Sequence, residues 1–449
     1  MKKLNALFVV FAVFVLLAGP VGLVSAAGGG QAASSKPVEI RYMGDQTVGS
    51  PLHELFMEML DEFHKANPDV KVEPDLLPSM EYRTKISVEM AAGNPPEVTN
   101  CIFSYASEFM RENRIEDWRP IMAKHPEFAR WIPMKYIENM KFTDGRIATM
   151  PTSAQVDGLY YNTEIFEKNG WQPPKTFNEL VALAPKARTA GISLLVTGGR
   201  DIRFAWLASA LMAGVAGKER ADALAFGNAM DQWDNEYYGF PRAMRHFKEL
   251  VDAGAFHRGT MGFSVQEADM AFIRGEAAMY YEGEWKANDF LVRGSREFVD
   301  KLRRIDFPAF TCPCCINIGD PTIRIGGNIW GVMIPVGHDA RTMDAVIRFS
   351  KAFVHPDFRT RVIDGDGQSI SATRVNFNRE RLPVIRLQLI EAYENANTFI
   401  RSMDSYAVPA VDLAIKQTAM PGILTGQLTV DQAVAAVQRA ARDHLAARR

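Results

Sequence analysis

Residues 311–320 read TCPCCINIGD and place Cys312, Cys314 and Cys315 within four positions. Thiols at that density can hold a metal, exchange electrons or close a bridge. A closed zinc site takes four ligands, with its pairs about two to four residues apart. This stretch offers one pair separated by a single residue and one adjacent pair, and the next histidine downstream is His338. No metal is therefore expected. Glu282 and Glu284 stand two apart, and on one strand they would share a face at about 7 Å, a separation two catalytic carboxylates could use. Other catalytic signatures are missing from the sequence: there is no GxSxG, no GxxxxGK[ST], and no GxGxxG opening a helix after a strand. His53-Glu54 lacks the second histidine of HExxH. No cofactor is expected.

The elements that would position such groups begin behind a leader. Lys2 and Lys3, an apolar run from about Ala6 to Leu17, and Val24-Ser25-Ala26 fit an export signal cleaved after residue 26. The apolar run is well short of the ~20 residues a spanning helix needs. No cysteine stands near the cleavage region, so a lipid anchor has no attachment atom there. The expected location is periplasmic, with 27–36 as a flexible tether. The 51 basic and 53 acidic side chains give a formal charge of −2, and removing Lys2 and Lys3 takes it to −4. That balance favours neither nucleic acid nor an anionic membrane.

Pro37–Met43 alternates with period two, so it reads as a strand ending at Gly44. Leu52, Leu55, Phe56, Met59, Leu60 and Phe63 recur at helical spacing and stop at Asn67-Pro68. Val70–Leu76 reads as strand, Met80–Ala92 as helix and Glu97–Phe103 as strand. Such alternation predicts a mainly parallel α/β sheet, with ligands beyond the carboxyl ends of its strands, near Gly44–Ser50 and Ser104–Ser107. Thr176 with Glu179, and Thr429 with Gln432, are capping boxes. Asp144-Gly145 is a hairpin turn signal. These are scaffold.

Taken in order, the export signal, EIRYMG, FHKANPDVKVE, AAGNPPEV, TDGRIATMPTSAQVDGLYYNTEIFEKNGWQPPKTFNEL and LTGQLTVDQAVAAVQRA resemble the family 1 extracellular solute-binding proteins of ABC importers, the sugar-type group that includes maltose-binding protein. The most specific part is Tyr160-Tyr161-Asn162 followed by Gly170 and Pro173-Pro174-Lys175-Thr176-Phe177. The resemblance implies a periplasmic-binding-protein-like α/β fold, with two α/β domains joined by a hinge and a ligand cleft between them. Lobe 1 would comprise 37–155 and 308–337, and lobe 2 156–307 and 338–449. The chain would cross near Gln155–Gly158, return near Asp306–Phe310 and cross again near Ile334–His338. It also implies a monomeric receptor, without catalysis, that captures a solute by lobe closure and delivers it to two membrane permease subunits. An extracellular carbohydrate-active enzyme using paired carboxylates, or a receptor for a non-sugar solute, stays open.

A sugar cleft needs aromatic planes for CH faces, and carboxylates, amides and guanidinium groups for hydroxyls. Aromatic residues beside polar ones supply Phe103 and Tyr105, Trp206, Trp233, and Glu282 with Glu284 and Trp285. Of these, the resemblance best supports the stretch AAMYYEGEW around Glu284 and Trp285. It also implies Gln155 and Asp157 on the first crossing, Gln46 beyond the first strand, and Asn328 and Trp330 in RIGGNIW. Arg374 ends GDGQSISATR, where the sequence lacks the proline that the family commonly shows. Arg200, Arg203 and Arg374 suit an acidic sugar, although arginine also stacks on and hydrogen-bonds neutral ones. In an oxidising compartment the cysteines are read as a disulfide in preference to free thiols. Adjacent Cys314 and Cys315 would form a strained ring, so the bridge is Cys312 with Cys315, or one of the three with Cys101.

Overall fold

The alternation in Val38–Asp45 (β1) buries Ile40, Tyr42 and Met43 and leaves Glu39 exposed, as a strand inside a covered sheet requires. In the computed structural model, which describes residues 36–447 apart from 47, 143, 201–202, 226, 312–322, 328–329, 369 and 403–406, β1 pairs in parallel with Val70–Leu77 (β2) and Val98–Ile102 (β3). The helices Pro51–Ala66 and Ser79–Ala92 make the two crossovers. Ser50 caps the first by accepting from the His53 amide, and its buried face is Phe56, Met59, Leu60 and Phe63. The expected signal segment and most of the tether lie outside the described residues.

Further along come Met150–Pro151 (β4), Gln155–Val156 (β5) and Gly158–Asn162 (β6), and then Ser193–Val196 (β7), Ala277–Glu282 (β8) and Leu302–Ile305 (β9). Ile323–Gly327 (β10), Trp330–Met333 (β11) and Thr398–Ile400 (β12) follow. One sheet has the order β2-β1-β3-β11-β4 and another β7-β8-β6-β9. A small third sheet, β12-β10-β5, joins them. Successive residues of β6 face opposite sides of its sheet. Tyr160 packs on Phe290 at 5.5 Å, while Leu159 belongs to the core that holds the stacked rings of Phe177 and Phe310, 4.7 Å apart.

The third sheet is where the chain passes from one body to the other. It leaves the five-stranded sheet at β4, runs through β5 and enters the four-stranded sheet at β6. It leaves β9, runs through β10 and re-enters the first sheet at β11, which pairs antiparallel with β3 and β4. Arg304 ties the first two passages together: its guanidinium donates to the Asp157 carbonyl (2.8 Å) and to Asp306 (2.6 Å), and Arg324 of β10 lies 3.4 Å from the same carboxylate.

The third passage departs from expectation. The helix Ala340–Val354 sets Phe349 and Phe353 at 5.2 and 5.4 Å from Tyr42, covering the first sheet. The next helix, Pro356–Asp364, is tied to Pro51–Ala66 by Arg361 and Glu62 at 2.7 Å. The chain therefore stays on the first body past Ile334–His338, and assigning all of 338–449 to the second lobe is corrected. It returns through β12, after which helices Met420–Thr425 and Val430–Ala446 pack beside Phe240–Asp252 on the second body and Pro409–Ala414 packs on Val430–Ala446. The boxes Thr176/Glu179 and Thr429/Gln432 both form.

Gly326 in β10 has φ +125°, and a Cβ there would lie 2.3 Å from the Gln155 carbonyl oxygen. Gly326→Ala is therefore expected to cost about 1–3 kcal/mol through backbone strain alone, read as a lower midpoint in thermal unfolding. An unchanged midpoint would mean the joining sheet tolerates a side chain there.

Candidate functional site

The site is built outward from the end of β8. Glu282 ends that strand fully buried, Gly283 turns the chain, and Glu284 opens the helix Trp285–Arg293. Tyr160 fixes the turn by donating its hydroxyl to the Gly283 carbonyl at 2.8 Å. A Cβ on Gly283 would lie 2.2 Å from the Trp285 ring, so glycine is what lets that indole fold back over the turn. Trp206 meets Trp285 edge-on, at 5.7 Å and 74°.

Arg203 lies over both indoles, its guanidinium 4.2 Å from the Trp206 ring centre and 5.6 Å from that of Trp285. Its Nε donates to Glu282 Oε1 at 2.8 Å. Burial raises the pKa of Glu282, and the nearby cations Arg203 and Lys286 oppose that rise. Lys416, in a π-helical turn Ile415–Ala419, sets its ammonium 5.4 Å from the Trp206 ring and 2.6 Å from Asp412. Both indole nitrogens, Trp206 Nε1 and Trp285 Nε1, are buried without a hydrogen-bond partner among the described residues.

Glu284 is half-buried, with Oε2 shielded from solvent, and burial pushes its carboxyl up to about 8 against the opposing backbone amides, including Val156 of β5. The folded protein keeps a proton that the unfolded chain releases above the ordinary value of 4.5. This group's contribution to stability is therefore fully present below 4.5 and is lost as pH rises to about 8. Glu284→Gln is expected to remove that loss, raising the thermal midpoint at pH 9 by at least about 2 °C with little change at pH 4. Equal shifts at both pH values would contradict a buried acid at this position.

A second group of residues lies where the first body meets Pro409 and Asp412. Arg83, Tyr105, Glu108 and Arg111 enclose, with Pro409 and Asp412, a cavity of about 60 Å³. Phe103 is buried, its ring covered by the Arg401 guanidinium at 4.4 Å, and Arg401 also donates to the Asn139 carbonyl. Gln155 is fully buried at the joining sheet, bonded to Asp157 and, at 3.0 Å, to Ser402. Gln46 is buried just past β1, and its Oε1 has no hydrogen-bond partner among the described residues.

Contacts run from the Tyr105 cavity through Asp412 and Lys416 to Trp206, Arg203, Glu282 and Trp285, and from Phe103 through Arg401 and its neighbour Ser402 to Gln155 and Asp157. The structure does not gather all the expected residues. Trp233 is core: it packs on Phe240 at 5.2 Å, and its amide is held by Gln438 at 2.7 Å. Arg374 is held on the first body, its amide on the Trp131 carbonyl and its guanidinium on that of Arg130. Trp330 leans on Tyr82 at 5.7 Å. Trp206 and Glu282 are brought together with Arg203, but both are buried by it and by the fold, so neither offers an open surface. Asn328, Cys312, Cys314 and Cys315 lie outside the described residues. Cys101 is a free buried thiol among the described residues, its pKa pushed up to about 12 by desolvation, and its expected partners lie outside them. Arg401, Ser402, Asp412 and Lys416 escaped the sequence reading because they reach these contacts only through the displaced third crossing.

Residues 49–313 match the model of the bacterial extracellular solute-binding protein family. The chain belongs to that family. Its members are binding proteins. An ABC transporter extracellular-binding protein of Pyrococcus horikoshii is 25% identical over 243 residues, 51% of this chain and 53% of the relative. The sn-glycerol-3-phosphate-binding periplasmic protein UgpB of Yersinia pestis is 23% identical over 308 residues, 66% of each. The chain spans about half the length of the curated relatives it first matches. Among solved structures, a chitin oligosaccharide binding protein aligns with a TM-score of 0.77 at 21% identity, covering 91% of this chain and 98% of that one. This likeness gives the fold, the two-lobed α/β form of solute-binding proteins. Among the described residues no helix is long and apolar enough to cross a membrane.

Proposed function

We propose that this family member is the extracytoplasmic receptor of an ABC importer, that its solute is a carbohydrate, and that the solute is captured in the seam between the lobes. The carrying observation is the arrangement at Trp285: an indole beside the Arg203 guanidinium, with a buried N–H that has no hydrogen-bond partner among the described residues. A pyranose offers apolar faces and a rim of hydroxyls to such a wall. The relatives' names, which include ABC transporter and oligosaccharide-binding proteins, support this reading. Lobe movement about β5, β10 and β12 would close the seam, and the closed form is what two permease subunits in the membrane would distinguish. The protein would act as a monomer after export to the periplasm.

Catalysis by paired carboxylates fits poorly. Glu282 is fully buried and bonded to Arg203, so it is not placed to act as a nucleophile or base. A thermal-shift screen of the purified protein against neutral sugars, uronates, polyols and amino acids tests the reading, since a ligand of the native state raises the midpoint. A shift with a carbohydrate recovered unchanged is expected. Recovery of cleaved sugar, or a shift with amino acids alone, would overturn it.

A further inference from the structure

Lys416 is as buried as Trp206 beside it, both at 7% exposure, yet its ammonium has one hydrogen-bond acceptor among the described residues, Asp412 at 2.6 Å. An ammonium carries three N–H donors. One goes to Asp412, and the face of Trp206, its ring centre 5.4 Å away, takes a second direction. At least one donor is left over. Trp206 Nε1 on the same wall is also buried without a partner among the described residues. A buried donor left unmet costs free energy, so each calls for an acceptor the chain itself does not supply.

The backbone departs from regular helix at this residue. Lys416 lies in the π-helical turn Ile415–Ala419, which the Met420 amide closes onto the Ile415 carbonyl, five residues back. Such a turn re-aims a side chain relative to the helix before it, here Pro409–Ala414, which carries Asp412. Asp412 also lines the small cavity shared with Tyr105 of the other lobe. The ion pair therefore stands between that cavity and the indoles. A buried pair adds little stability over apolar residues of the same volume, so stability alone does not account for one at this junction.

We infer that Lys416 and Asp412 act together as the reader of one solute hydroxyl, the ammonium donating to its oxygen and the carboxylate accepting its proton. This rests on the reading of the seam as the solute site. A hydroxyl both donates and accepts, and a carboxylate has lone pairs for more than one partner, so the pair can receive it without giving up its own bond. The two charges balance, so the group read is an uncharged hydroxyl of a sugar or polyol.

The test is calorimetric titration of the full protein with glucose, galactose, xylose, maltose and cellobiose, and then with the monodeoxy analogues of whichever binds. Lys416→Met is expected to weaken the parent sugar at least about tenfold. One deoxy analogue should be about tenfold weaker than its parent on the unaltered protein and equal to it on Lys416→Met, because the hydroxyl is then no longer read. Lys416→Met/Asp412→Leu, which removes both charges, should regain thermal midpoint relative to Lys416→Met but not affinity. Affinity restored in the double variant would make Lys416 a counter-ion only and overturn the inference. So would a parent sugar bound equally by Lys416→Met and the unaltered protein, or a deoxy penalty that persists in the variant; each leaves the receptor reading intact. Failure of every panel sugar to bind the unaltered protein would overturn both.

Discussion

Alanine in place of Trp285 is expected to weaken solute binding by about 2–4 kcal/mol, a loss of some 30-fold or more. The indole is the most exposed aromatic plane of the second-lobe wall, since Trp206 is covered by Arg203 and buried at 7% exposure. Truncation would remove the ring face, its N–H and one side of the Arg203 enclosure together. The fold should survive, because Trp285 is only half-buried and stands at the first position of its helix. Trp285→Phe keeps the plane but not the donor and should recover most of the affinity. Gly283→Ala offers an independent check: its methyl would occupy the place of the Trp285 ring, so it should approach the alanine variant in affinity. Calorimetric titration with the solute found by screening, alongside far-UV circular dichroism, separates lost affinity from lost structure. Full affinity in Trp285→Ala would remove this residue from the site.

Lys286→Met is expected to destabilise the protein by about 3–5 kcal/mol. Lys286 and Asp269 are both fully buried and bonded at 2.9 Å, and Lys286 also reaches Asp289 at 2.7 Å. Burial raises the pKa of Asp269, and Lys286 is the leading charge that opposes it. Without the ammonium, the buried carboxylate would keep Arg293, itself about one-third exposed, as its nearest cation among the described residues. Adding Asp269→Leu should restore part of the loss, because removing both charges costs less than stranding one. Urea unfolding of the single and double variants gives the comparison. A loss under about 1 kcal/mol in the single variant would place the pair in the class of solvent-screened surface bridges.

Local order was legible where one short stretch decides it. The alternation of VEIRYM and the spacing of Phe56, Met59, Leu60 and Phe63 specify a strand and a helix without reference to anything distant. Thr176 with Glu179 likewise closes its capping box within four residues. The third crossing was not legible, because the apolar face of the helix Ala340–Val354 declares that it packs on a sheet but not on which one. Only the contact of Phe349 and Phe353 with Tyr42 decides that. Trp233 misled for a related reason: flanked by Asp231, Gln232 and Asp234 it resembles a polar cleft residue, yet Gln438, some two hundred residues later, satisfies its amide and seals it into the core. Glu284 and Trp285 were within reach because strand, turn and helix start lie inside one motif. Arg401 and Lys416 were not, since their place at the seam is set by tertiary routing.

The central claim is capture by closure of two lobes, and small-angle X-ray scattering of the protein with and without its solute tests it most directly. The account predicts a smaller radius of gyration at saturating solute, a change that Trp285→Ala shows only at much higher concentration, with the solute recovered intact. Scattering that stays the same at saturation, or a solute recovered cleaved, would contradict it.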